Sequence, residues 1–189
     1  KGWWKAYGVY VWVAALVVAV GGAGGTFLHQ YQASNALDSA QKFLDMQVTI
    51  DSRNLADSQI ALKDISKGFS PNIYSDFAGL KVARLAYEEG KVDLAVENFR
   101  RIFSEGLSDD TKAMAGLRLA AILIEQNKIE EALEVLSSVE GGAYSMLVSD
   151  LKADALFKRG ELKEAILSLD SALDQTDNTS AWRSIIEMK

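Results

Sequence analysis

The chain has 189 residues, 49% apolar and 24% charged, a balance that excludes both a disordered polymer and a polytopic membrane protein. It holds no cysteine and a single histidine, so disulfides, thiolate zinc sites and cysteine nucleophiles are excluded, and any histidine-based metal cluster or catalytic triad would depend on His29. Of its 20 basic side chains only Lys1 and Lys5 fall in residues 1–30, and none of its 26 acids does, so the rest of the chain is more acidic than the overall net charge of −6. An acidic domain without a basic stripe repels phosphate backbones, which argues against nucleic acid as a partner.

The first predicted element spans a membrane. From Ala6 to Leu28 no side chain is charged. The run gives about 20 to 23 apolar or small residues, enough for a helix to cross roughly 30 Å of hydrocarbon. Trp3, Trp4, Tyr7 and Tyr10 crowd one end, and Phe27 and Tyr31 mark the other, as an aromatic belt at headgroup level would require. Basic residues flank the N-terminal side only, with Lys42 the next one downstream, so the positive-inside rule predicts a cytoplasmic N-terminus and residues 31 onward across the membrane. A cleaved signal peptide is the competing reading. Its apolar core usually runs only about 7 to 15 residues, so a retained anchor over 1–30 is expected, in contact with membrane lipid. Ala15, Ala19, Gly21 and Gly25 place small residues four apart or nearly so, a pattern that lets a second membrane helix approach closely. His29 lies just past the apolar run and is read as a polar anchor without chemistry.

Residues 31–189 are predicted to form helical hairpins, because three segments align on a shared loop position. Ala83, Gly90, Ala95 and Phe99 repeat as Ala120, Asn127, Ala132 and Leu136, and again as Ala153, Gly160, Ala165 and Leu169. The offsets from the loop residue are −7, +5 and +9 each time, and the loop residues are 37 and then 33 residues apart. Small side chains at −7 and +5 let two helices pack closely, the apolar group at +9 fills between them, and Gly or Asn tolerates the positive φ that ends the first helix. The period is similar to the tetratricopeptide repeat of about 34 residues. Upstream, Ala33 to Val48 and Ser52 to Lys67 carry apolar residues at helical spacing and predict a degenerate first hairpin. The only proline lies in the loop Gly68-Phe-Ser-Pro71-Asn; Phe103 to Asp110, with Ser108 as N-cap, and then Gly141-Gly142 separate the later hairpins. A last helix from Thr179, with Trp182, Ile185, Ile186 and Met188, is expected to cap the stack. The fold class is all-α: one transmembrane helix, then a tetratricopeptide-like solenoid with a C-terminal capping helix.

No phosphate-binding loop, nucleophile elbow or H-E-x-x-H motif occurs. The acidic pairs Glu88-Glu89, Asp109-Asp110 and Glu130-Glu131 fall at predicted helix ends and turns, where carboxylates complement the helix dipole rather than converge in a cleft. Catalytic residues, a bound metal, a cofactor and a small-molecule substrate are therefore not expected, and a hidden carboxylate enzyme would have to rest on groups such as Asp150 and Asp154. The first helix of each hairpin is expected to line a concave face that binds a peptide-like partner segment. That face comprises Leu80, Arg84 and Tyr87, then Leu117, Ala121 and Ile124, then Asp150, Asp154 and Phe157. The bland reading places Tyr87, Ile124 and Phe157 against a neighbouring helix instead.

A membrane anchor followed at once by degenerate hairpins resembles the bacterial YfgM-type ancillary subunits of the Sec translocon. The resemblance runs over nearly the whole chain and is densest in Leu117-Arg-Leu-Ala-Ala-Ile-Leu, Ala132-Leu-Glu-Val-Leu and Leu147-Val-Ser-Asp-Leu-Lys-Ala-Asp-Ala-Leu-Phe-Lys-Arg-Gly-Glu. It implies an inner-membrane protein with a periplasmic repeat domain. The implied partners are the SecYEG channel and a membrane-anchored periplasmic chaperone of the peptidyl-prolyl isomerase type, with assistance to exported proteins as the role. A short cytoplasmic tail linked to regulation would precede Lys1. A structural or adaptor subunit of another envelope complex, such as a secretion or division assembly, fits the same plan of anchor and repeats.

Overall fold

The computed structural model describes residue 34 and residues 36–67, 72–139, 142–176 and 180–189. These residues form α-helices and a short 3-10 turn, with no strand among them. Among the described residues no helix is long and apolar enough to cross a membrane. The anchor expected over 1–30, with Ala15, Ala19, Gly21, Gly25 and His29, lies outside them, as do most of the proline-bearing loop and Gly141.

The chain runs as consecutive hairpins. The first pairs α1 (residues 36–51) with α2 (Leu55–Ile65). The second pairs α3 (Ile73–Glu88) with α4 (Val92–Glu105), and the third α5 (Asp109–Glu125) with α6 (Ile129–Ser138). A 3-10 turn over Gly142–Tyr144 then leads into α7 (Ser145–Arg159) and α8 (Leu162–Asp174). The last helix, α9 (Ala181–Glu187), starts two residues past the expected Thr179 behind its N-cap Ser180.

Helix starts are of more than one kind. Asn54, Asn72, Ser108 and Ser180 cap α2, α3, α5 and α9 with a side-chain oxygen that accepts from a backbone N–H of the first turn. The helices α4, α6 and α8 have no such cap. Each follows a tight turn and instead places acids in its first turn: Asp93, then Glu130 and Glu131, then Glu164.

The turns are all one structure. Gly90, Asn127 and Gly160 have φ of 73°, 61° and 87°. At each, the next amide reaches back five residues, from Lys91 to Ala86 (2.8 Å), Lys128 to Leu123 (2.9 Å) and Glu161 to Leu156 (3.0 Å). The loop residue's own N–H bonds the carbonyl three before it. This pair of bonds satisfies carbonyls that the ending helix would otherwise leave orphaned. The same turn recurs between α1 and α2, where Arg53 takes φ 54° and Asn54 N–H donates to Thr49 at 2.9 Å. Counting from Arg53, offsets −7, +5 and +9 fall on Met46, Ser58 and Leu62, all buried. The degenerate first hairpin therefore keeps the register of the other three, with Arg53 carried by ion pairs to Glu88 and Glu89 of the next hairpin.

Close packing follows from the small positions. Ala83, Ala120, Ala95 and Ala132 are fully buried, and Ala153 and Ala165 nearly so. Phe99 and Leu136 are buried at +9, and Leu169 is half-buried near the stack's end. Gly79 and Gly116 share a further offset, −11. A Cβ on Gly79 would lie 2.9 Å from Ile102 Cδ1, and one on Gly116 2.9 Å from the Phe103 ring. One apolar cluster extends from α3 to α7, and a second, built on Met46, Leu62, Ile65, Ala78 and Val82, ties the first hairpin to α3. Each helix packs on its neighbours in sequence, and α5 also touches both α3 and α7. The first helices α3, α5 and α7 thus touch in a row, while α4 and α6 each pack against the first helices on either side of them.

Long side-chain bridges stitch each hairpin to the next. Tyr87 reaches Glu125, Arg100 reaches Glu131, Lys158 Nζ donates to the Ile124 carbonyl at 2.8 Å, and Lys189 reaches Asp150. Buried Asp76 at the start of α3 accepts from Leu107 N–H at 2.7 Å and from the Thr111 hydroxyl at 3.5 Å, fixing the turn that leads into α5.

Candidate partner-binding groove

The helices α3 and α5 touch, and their equivalent positions are 37 residues apart. Leu80 corresponds to Leu117, Arg84 to Ala121, and Tyr87 to Ile124. Between the two helices lies a groove of about 550 Å³, within the usual range for ligand sites. Phe99 of α4 and Ile122 form its floor, and Leu80, Met114 and Ala121 its apolar walls. Lys81, Arg84, Tyr87, Glu88, Arg118 and Glu125 give it a polar rim.

Four of the nine residues expected on the concave face line this groove: Leu80, Arg84, Tyr87 and Ala121. Leu117 and Ile124 sit in the core at 8% and 5% exposure, because the next hairpin covers their side of α5. On α7, Phe157 is 66% exposed. Asp150 and Asp154 are bridged by Lys189, whose ammonium donates to Asp150 at 2.7 Å and to both oxygens of Asp154 at about 3 Å. Burial pulls the Lys189 pKa down, but the bonds to Asp150 and Asp154 outweigh it and hold the value above the ordinary range. The capping helix thus reaches back across the row, while α9 buries Ile186 and leaves Trp182, Ile185 and Met188 largely exposed.

The groove's carboxylates are already engaged. Glu88 accepts from Arg84 Nε at 2.8 Å and from Arg53 Nη1 at 3.4 Å, and the Arg84 bond chiefly, helped by both guanidinium charges, lowers its pKa. The Tyr87 hydroxyl donates to Glu125 Oε2 at 2.6 Å. That bond first, then burial, then the carboxylate charge push the phenol above its ordinary value. Lys81 and Arg118, by contrast, form no ion pair or side-chain hydrogen bond among the described residues. They share offset −9 from the turn, just as Glu88 and Glu125 share −2. Reading only the −10, −6 and −3 positions as the face missed both pairs, and their recurrence at equal offsets is the signal that finds them.

Among the described residues no group of three or more carboxylate or imidazole side chains is placed to hold a metal ion. What the arrangement offers is an apolar trough with charged edges, the form of surface that takes a segment of another chain.

A family model described as a tetratricopeptide repeat-like domain matches residues 1–189. The chain is 24% identical over 184 residues to the "Ancillary SecYEG translocon subunit" of Escherichia coli (strain K12), covering 97% of this chain and 85% of that protein. Proteins of the same name from Neisseria gonorrhoeae and Haemophilus influenzae are 23% and 22% identical, over 100% of this chain and 91% of each. No solved structure matches the chain at a significant level.

Proposed function

The chain belongs to the tetratricopeptide repeat-like domain family, and from that premise we propose that it is a non-enzymatic accessory subunit of the bacterial Sec protein-export machinery. The observation that carries this reading is the agreement, over almost the full length of both chains, with ancillary SecYEG translocon subunits of several bacteria. The groove supports it from the physical side, since a stacked-hairpin surface works by holding segments of other proteins. In this reading residues 1–30 anchor the protein in the inner membrane with the N-terminus cytoplasmic, and the small residues Ala15, Ala19, Gly21 and Gly25 pack on a translocon helix. The repeat domain lies in the periplasm and docks a membrane-anchored chaperone of the peptidyl-prolyl isomerase type through the row of first helices. Exported proteins emerging beside it meet chaperone and channel together.

Site-specific photocrosslinking in native membranes tests this, with probes through residues 15–25 and at Tyr87, Met114 and Phe157. The expected products are translocon crosslinks from the membrane segment and chaperone crosslinks from the repeat surface. Crosslinks only to a secretion or division assembly would replace the export role with that of an adaptor for another envelope complex.

A further inference from the structure

Within the partner-binding reading above, on which this step rests, we infer that the α3–α5 groove takes an acidic segment of its partner, with an apolar side chain beside the carboxylates. The argument is one of unequal satisfaction. Seven residues, or about 10 Å of helix, separate the Lys81–Arg118 level from the Glu88–Glu125 level. At the second level every carboxylate already has a donor from this chain: Arg84 and Arg53 on Glu88, the Tyr87 hydroxyl on Glu125. At the first level Lys81 and Arg118, on successive hairpins, meet no acid among the described residues. The groove thus presents a net attraction for carboxylates in a chain whose overall charge is −6. Beside the first level Leu80, next to Lys81, and Met114, one turn before Arg118, leave apolar surface open to the trough, with Ala121 about one turn beyond, and Met114 is 44% exposed. A flexible thioether suits an apolar anchor of variable shape. A basic segment would meet Glu88 already paired, with only Glu125 to attract it and two cations opposed to it, so charge complementarity selects acidic side chains, not lysine or arginine.

The test uses the full-length chain in detergent micelles and a phage library of random dodecapeptides. Enriched peptides, synthesised with acetylated and amidated ends so that only side chains carry charge, should hold Asp or Glu beside Leu, Phe or Met. Binding should weaken about tenfold in the double variant Lys81→Glu/Arg118→Glu. Selection on that variant should turn toward Lys and Arg. Neutralisation by Lys81→Gln/Arg118→Gln should give an intermediate loss, with the circular dichroism of each variant unchanged. Enrichment of neutral or basic peptides, or equal binding to both charge variants, would overturn the assignment. So would displacement of the peptides by vesicles of anionic phospholipid, which would make the groove a headgroup site. None of these outcomes depends on the translocon, so the export role and this specificity stand or fall separately.

Discussion

Asp76 is buried at 4% exposure and pairs with no cation among the described residues; its partners are the Leu107 amide and the Thr111 hydroxyl. Removing the carboxylate leaves that amide without its acceptor in a part-buried turn, and Asp76→Ala should cost about 1–3 kcal/mol, read as a fall in Tm. Asp76→Asn keeps an acceptor oxygen of the same reach and should lose less. Equal melting of the two variants would show that Asp76 fills space and does not hold the turn. The Tyr87–Glu125 bond makes a prediction in pH. Because the folded phenol titrates above its ordinary value of 10.0, the bond's contribution is complete below that pH and disappears as pH rises through the raised value. Glu125→Gln should therefore shift part of the tyrosinate absorbance toward lower pH. A titration curve identical to the parent's would mean that the hydroxyl points elsewhere in solution.

The hairpin is the unit in which most of the fold was legible. Offsets of −7, +5 and +9 found three hairpins because small residues at fixed places are what close helix pairs need. Ala132→Leu tests that register: the added isopropyl group in a fully buried seam should cost about 1–3 kcal/mol. An unchanged Tm would sink it. Gly160→Ala should cost about 1–2 kcal/mol, since φ of 87° lies where any Cβ is strained. The first hairpin escaped notice as a full repeat because Arg53 occupies the turn, and Met46 and Ser58 occupy the small positions. No residue type there advertises the geometry, and an ion pair with the next hairpin replaces glycine's freedom. The groove was less legible for a related reason. Leu117 and Ile124 hold the same offsets as Leu80 and Tyr87, so periodicity assigns all four to one face. Whether a member is open or covered depends on the hairpin stacked beside it, which spacing along one helix does not contain. Lys81 and Arg118 passed as solvated charges, as single surface cations usually do.

At the scale of the whole molecule, stability is close to a sum of hairpins and the seams between them. The end of the stack should then be the place where it yields first. Ending the chain before Ser180 removes Ile186 from the core and Lys189 from Asp150 and Asp154. Hydrogen exchange should speed up across α7 and α8 while α3 to α6 keep their protection. A uniform acceleration across all hairpins would show a single cooperative block instead. The bridges between hairpins carry one more consequence, about time. Among the described residues the longest spans 39 residues, so no side-chain bond reaches beyond the adjoining hairpin. Short-range closure of this kind folds fast, and it sets an order. A chain delivered from its N-terminal end can complete each hairpin as soon as the following one arrives, without waiting for its own far end.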